Sequence, residues 1–176
     1  MEVREAGAAD RAGLLALHRA AFSAAEGKKA GDTIATLVDS LLDDPSAQPL
    51  VSLVAAEGEA LLGHILFTPV TVDGRAGGYI LAPLAVCPTA QRGGIGTTLI
   101  KVGLELLGQQ GVPFVMVLGD PAYYSRSGFA AGHGIKPPHS IPYPEAWMAL
   151  ALEEGALDQL SGTLQCAHAL NAPEHW

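Results

Sequence analysis

The segment Gln91-Arg92-Gly93-Gly94-Ile95-Gly96-Thr97-Thr98 constrains this chain more than any other part of it. An apolar stretch from Tyr79 to Val86 precedes it and reads as a strand. The stretch it opens, Gly94 to Gln110, places Ile95, Leu99, Val102, Leu106 and Leu107 on one helical face. Glycines at such a strand-to-helix junction let the backbone approach a ligand closely. The N–H groups left unpaired in the first helical turn, backed by the helix dipole, then hold an anion, and phosphate or pyrophosphate is the natural one. The spacing excludes two familiar phosphate loops. Gly94-Ile95-Gly96 runs on into Thr97-Thr98-Leu99, which is not GxGxxG, and no Gly-Lys-Ser/Thr occurs.

The rest of the chain supplies a frame for that junction. Ala9 to Phe22 reads as an amphipathic helix with Leu14, Leu15, Leu17 and His18 at helical spacing and Asp10 near its start, where an acid suits the dipole. Ser23 to Gly31 is polar and reads as a loop. A second helix is expected from Thr33 to Leu42, with Asp32 as its cap and Pro45 beyond its end. The period then changes to that of strands at Val51 to Ala56, Leu61 to Val72 and Tyr79 to Val86, with turns at Glu57-Gly58-Glu59 and Gly74. Pro83 cannot donate to a ladder, so it predicts a bulge or a point where its strand parts from a neighbour. After the glycine-led helix, Pro113 to Leu118 reads as a buried strand. Asp120-Pro121 starts a short helix that Gly128 ends. Phe129-Ala130 could begin a strand, His133 to Pro144 reads as Pro-rich loop, and Ala146 to Leu152 as the last strand. The order helix, helix, three strands, helix, strand, helix, strand predicts an α/β fold with a sheet that is antiparallel at first and mixed later. A length of 176 residues suits one domain, here 1–155, with 156–176 as a weakly patterned tail of the same domain.

Composition narrows the function classes. A net charge of -8 with no basic stripe argues against nucleic acid as a partner. No apolar run reaches the ~18 residues of a membrane span, and the charged first residues do not read as a signal peptide. Cys87 and Cys166 stand in no CxxC or His-containing spacing, so no zinc site is expected, and reduced thiols in the cytoplasm are the simpler reading.

The pattern Gln-x-x-Gly-x-Gly at Gln91–Gly96, led in by Leu84-Ala85-Val86, resembles the signature of the GNAT superfamily of N-acetyltransferases. Tyr124-Ser125-Arg126-Ser127-Gly128-Phe129 resembles the Tyr-x-x-x-Gly-Phe with which that superfamily closes its core. Gly63-His64-Ile65-Leu66-Phe67, Leu81 to Val86 and Leu118 to Tyr124 are similar in particular to its YhbS-like branch, and the likeness covers residues 3–153. It implies a GNAT-type mixed sheet flanked by helices, and acetyl-CoA as co-substrate with no metal. It also implies a small-molecule or peptide amine as acceptor. The CoA pyrophosphate would lie on the amides of Arg92, Gly93, Gly94, Ile95, Gly96 and Thr97, with Gln91 opening the loop. Leu84, Ala85 and Val86 would form a splayed strand that pairs with pantetheine, the Leu84 N–H facing the thioester carbonyl. Tyr124 would protonate the departing thiolate, while Tyr123 packs.

A base must also take the amine's proton. His64 has the right ordinary pKa for that, although a half-buried histidine satisfied by its neighbours is the competing reading. Glu26 stands in the expected loop near the acceptor side, and Cys87 lacks the His-Asp partners of a nucleophile. A non-catalytic acyl-CoA-binding or regulatory module is the alternative function. Acceptor identity, acyl-chain length and a homodimer stay open.

Overall fold

Apolar runs long enough to be buried on both faces need helices above and below them, and the helices here are apolar on one side only. The computed structural model describes residues 1–176 apart from the side chain of Ala76. The chain runs β1 (Glu2–Glu5), α1 (Arg11–Glu26), α2 (Lys28–Asp43), β2 (Val51–Glu57), β3 (Ala60–Val72) and β4 (Ala76–Val86). It continues through α3 (Ile95–Gln109), β5 (Phe114–Leu118), α4 (Pro121–Tyr124), β6 (Gly134–Lys136), β7 (Trp147–Ala151) and β8 (Ser161–Gln165). The strands lie in the order β1-β2-β3-β4-β5-β7, with β8 pairing β3 and β6. Only β4–β5 and β6–β8 pair in parallel. The mixed α/β sheet expected from the sequence is therefore present.

Two cores sit on the two faces of the sheet. Leu37 and Leu41 of α2 pack with Leu66, Val70, Ile80, Met116 and Trp147 on one side. Ile95, Leu99, Ile100 and Leu107 of α3 pack with Ile65, Phe67, Leu81, Val115 and Val117 on the other. Successive residues of β3 thus serve opposite layers, as strand alternation requires. No helix among the described residues is long and apolar enough to cross a membrane.

Several sequence expectations need correction. Ser23–Gly31 is not a loop: α1 runs to Glu26, α2 starts at Lys28, and Gly27 alone turns the chain with φ 99°. Alanine, glutamate and lysine there are good helix formers that stay polar because they face water. Asp32 is no cap but an acid inside α2, paired with Lys28 at 2.8 Å and Arg19 at 3.2 Å. Glu2–Glu5 forms an edge strand, too short and charged to show a period. Phe129-Ala130 makes one bridge, Ala130 to Ala149, instead of a strand. The Pro-rich stretch holds β6, and β7 is not the last strand, since β8 lies in the tail. The tail also buries Leu164, Ala167 and Leu170 in the α2-side core.

The β4–β5 pair is held together at its start by a close approach at Gly78. A Cβ there would come within 2.6 Å of the Phe114 ring and 2.7 Å of the Phe114 carbonyl oxygen. Gly78→Ala is expected to destabilise the fold by about 1–3 kcal/mol. Gly77→Ala, whose Cβ would meet nothing within 4 Å, should stay within about 0.5 kcal/mol. Denaturant unfolding of both variants checks this; equal stabilities would show that the approach does not constrain the strand pair.

Candidate active site

The site begins where β4 loses a neighbour. Its parallel pairing with β5 covers only Tyr79, Ile80 and Leu81, opposite Val115, Met116 and Val117. On the other edge the pairing with β3 runs from Leu81 opposite Phe67 to Leu84 opposite Ile65, so β4 carries one extra residue there. That bulge lies at Ala82-Pro83, where the proline predicted an interruption. The Cys87 N–H donates to the Leu62 carbonyl at 2.8 Å, so Cys87 and, by alternation, Ala85 turn their backbone groups toward β3. Leu84 and Val86 consequently turn theirs toward the side that β5 has left. The Gln91 side chain reaches back and donates to the Val86 carbonyl at 3.1 Å.

The glycine-rich loop opens just beyond. Arg92 has φ 68° and Gly94 φ 83°, two left-handed residues in one short turn, the kind of backbone that gathers N–H groups into a concave anion cradle. The first helical bond of α3 runs from the Thr98 N–H to the Gly94 carbonyl at 3.0 Å. The N–H groups of Ile95, Gly96 and Thr97 precede it and have no helical acceptor. No acidic residue stands in that first turn to compete for them. A Cβ on Gly96 would collide with the Tyr123 hydroxyl, so the helix entrance and α4 lock together through that glycine.

Between the parted strands and the helices α1 and α2 lies a cleft of about 930 Å³. Ala82, Pro83 and Leu84 form one wall, and Leu118, Gly119 and Asp120 face them. Phe22, Glu26 and Lys29 come from the α1–α2 junction, while Pro142 and Tyr143 come from the Pro-rich segment. Glu174, His175 and Trp176 of the tail also line it. Tyr124 borders the same cleft, its ring laid on Gly119 and edge-on to Tyr123 and Phe129 at centroid distances of 5.0 and 6.0 Å. Burial pushes its phenol above the ordinary value, helped by Tyr123 and Asp120. It is therefore a hydroxyl that stays protonated at neutral pH. Asp120 is partly committed, since its carboxylate accepts the Ala122 N–H at 3.0 Å and caps α4.

The structure thus brings Tyr124, Leu84 and Glu26 to one cleft and leaves Ala85, Val86 and the 91–97 loop on its flank. It does not bring His64 there. His64 is 0% exposed and points to the α1 side of the sheet. Its Nδ1 shares a 2.7 Å hydrogen bond with His18 Nε2, and its Nε2 another of 2.7 Å with the Ser52 hydroxyl. Both ring nitrogens are occupied, so the expectation that His64 takes a proton from an acceptor is withdrawn. Cys87 packs near Leu17 and Ala21 on the same side, hydrogen-bonded to Thr89 at 3.3 Å. Glu174, His175, Trp176 and Tyr143 went unnoticed in the sequence, because they lie in segments without a period. No group of three His, Cys, Asp or Glu side chains suited to a metal ion occurs among the described residues.

Comparison with known proteins gives a consistent picture. Residues 12–129 match the family model described as the acetyltransferase (GNAT) family. The chain is 44% identical over 142 residues to the uncharacterized N-acetyltransferase YjhQ of Escherichia coli K12, covering 76% of this chain and 77% of that one. It is 34% identical over 157 residues to the uncharacterized N-acetyltransferase YhbS of the same organism, covering 87% and 86%. Among solved structures, E. coli YhbS in complex with CoA superposes with a TM-score of 0.85 at 31% identity, over 97% of this chain and 92% of that one. A GNAT acetyltransferase from Brucella melitensis in complex with acetyl-CoA gives 0.78 at 30%, over 96% and 97%.

The buried histidine pair sets a pH dependence of its own. Burial lowers the pKa of both His18 and His64 below the ordinary 6.5, and His18 Nδ1 has no partner to hold a second proton. In the unfolded chain both rings protonate near pH 6.5. Below that pH the unfolded state binds more protons, so the stability these residues contribute is complete above about pH 6.5 and is lost as pH falls. Unfolding free energy should drop between pH 6.5 and 5.5 by up to about 1 kcal/mol for each histidine. Denaturant titrations at the two pH values measure this, and a flat profile would mean that the rings are not held neutral.

Proposed function

Because the chain belongs to the acetyltransferase (GNAT) family, whose members are acyl-CoA-dependent N-acetyltransferases, we propose that it moves an acetyl group from acetyl-CoA to the primary amine of a small acceptor by direct attack. The observation that carries this reading is the wedge left where β5 departs from β4 at Leu81, with a glycine-rich helix entrance at one end and a large cleft at the other. The CoA and acetyl-CoA complexes of its structural neighbours support acetyl-CoA as the co-substrate. In this reading the protein works in the cytoplasm.

In this reading the N–H groups from Arg92 to Thr97 hold the pyrophosphate, and Gln91 steadies the strand end through the Val86 carbonyl. The Leu84 backbone groups and the Val86 N–H face the pantetheine arm as a strand would, while the Val86 carbonyl is shared with Gln91. The Leu84 N–H, fixed in β4, stabilises the oxyanion that forms at the thioester carbonyl as the amine attacks. Tyr124 stands across from it with a phenol that carries its proton, and donates to the thiolate sulfur as the C–S bond breaks.

Gly94→Glu puts a carboxylate at the anion cradle and a side chain on a left-handed backbone. Acetyl-CoA affinity should fall at least tenfold, or about 1.4 kcal/mol, in a variant that still folds. Unchanged affinity by calorimetry would remove the pyrophosphate from this loop.

Tyr124→Phe keeps the ring on Gly119 and deletes only the hydroxyl. CoA affinity should stay within about threefold while turnover falls roughly 10²-fold, and Tyr123→Phe should change turnover little. Thiol release measured with saturating acetyl-CoA and a panel of primary amines tests both. Undiminished turnover in Tyr124→Phe would assign that residue to packing. CoA binding without turnover on any amine in the wild type would favour a binding module instead.

A further inference from the structure

An amine that is protonated in water must lose a proton before its lone pair can attack, and the withdrawal of His64 leaves that proton without an acceptor. Four other histidines in this chain are tied to hydrogen-bond partners or do not border the cleft. His18 is sealed against His64, His133 Nε2 bonds the Trp147 carbonyl at 2.9 Å, and His139 Nε2 bonds Asn171 at 2.9 Å. His168 does not border the cleft. His175 does, and its side chain is 10% exposed. Among the described residues neither of its ring nitrogens makes a hydrogen bond, and the nearest charged atom is Glu174 Oε1 at 3.9 Å.

We infer that His175 is the base that accepts the proton of the attacking amine. The inference rests on the acetyl transfer proposed above. The turn that carries the ring is held in place on both sides. The His175 backbone N–H donates to the Ala172 carbonyl at 3.0 Å, and the next residue, Trp176, is anchored by Nε1 donating to the Leu170 carbonyl at 2.9 Å. Trp176 also stands edge-on to Trp147 at 5.4 Å between centroids. His175 further borders a second, smaller groove of about 340 Å³ on the outer side of α2, lined by Asp32, Ser40 and Glu174. It therefore touches the reaction cleft on one side and a route to solvent on the other, as a proton acceptor must in order to turn over.

The charged and titratable groups around it are Glu174 on its own turn, Glu26 at the end of α1, Lys29 and Asp32 on α2, and Asp120, Tyr124 and Tyr143 across the cleft. Burial lowers the pKa of His175, and Glu174 opposes that in part, so the ring is uncharged and basic at neutral pH. Glu26, Asp120 and Glu174 outnumber Lys29 and favour a cationic acceptor. In the transfer, His175 takes one proton from the ammonium. The amine nitrogen then bonds to the acetyl carbon and the carbon–sulfur bond breaks. The amide nitrogen sheds its second proton to the Tyr124 oxygen, replacing the one that Tyr124 gives to sulfur, and the proton on His175 leaves through the groove.

The test uses the full chain with acetyl-CoA and 2-phenylethylamine, n-hexylamine and cadaverine as acceptors, read as thiol release. His175→Gln and, should it not fold, His175→Asn are expected to keep acetyl-CoA affinity within about threefold and to lose roughly 10²-fold in kcat/KM at neutral pH. They should also lose the fall in kcat/KM that the wild type shows as the imidazole protonates. Added imidazole should restore part of the activity of His175→Ala. Wild-type turnover and an unchanged pH profile in these variants overturn the inference. A titration of the His175 ring by NMR in the wild-type acetyl-CoA complex decides it without any acceptor. A ring neutral at pH 7 supports the role, and one still charged at pH 8 overturns it. Silence of the wild type on all three amines would count against the acetyl-transfer reading, while the titration would still judge His175.

Discussion

A strand inside a sheet must satisfy hydrogen-bonding groups on both edges, and β4 does so only as far as Leu81. The proposed site follows from that limit. The bulge at Ala82-Pro83 changes which residues turn outward, and the alternation beyond it sends the backbone of Leu84 and Val86 into the gap. A buried gap with unpaired polar backbone is costly unless something extended and amide-bearing fills it. The same divergence carries β5 away to Gly119 and Asp120, where α4 begins and swings Tyr124 back across the opening. The parallel pair therefore has to be firmly joined at its base, which is the service of the Gly78–Phe114 approach.

The two faces of the sheet divide the labour. On the α3 face, the first-turn amides and the left-handed Arg92 and Gly94 form the proposed anion cradle, which carries no charge of its own beyond one arginine. On the α1–α2 face, the cleft is bordered by acids, aromatics and one lysine. In the proposed reaction an anionic cofactor and a cationic acceptor would meet at the wedge from opposite sides, each from the face whose electrostatics suit it. Gly96 against Tyr123 ties the α3 entrance to α4, so the position of Tyr124 is set by the same helix entrance that is proposed to hold the anion.

The backbone frame of the proposed cofactor side was legible in the sequence because local backbone chemistry writes it. The glycines from Gly93 to Gly96 mark a helix entrance, Pro83 a bulge and Asp120-Pro121 a helix start. The acceptor half was not legible. Ser23 to Gly31 looks like a loop because exposed helix positions are polar, and only Gly27 breaks the chain there. β1 and β8 are short edge strands, with two half-buried residues in β1 and only Leu164 fully buried in β8, too few to produce a period. The tail matters through single side chains brought home by tertiary contacts, Leu170 into the core and Trp176 onto Trp147.

His64 and His175 show why residue type alone cannot assign a base. His64 sits beside the active strand, opposite Ala85, yet pairs of residues across a ladder share a face, and Ala85 packs toward Leu17 and Ala21 of α1. That face is closed, so the ring is spent on His18 and Ser52. Its burial makes it neutral, but neutrality without access moves no proton. His175 lies more than a hundred residues away in sequence and reaches the cleft only because the tail crosses α2. There it keeps a neutral ring, an unoccupied pair of nitrogens and two openings. Access, not proximity in the strand register, separates a structural histidine from one that can act.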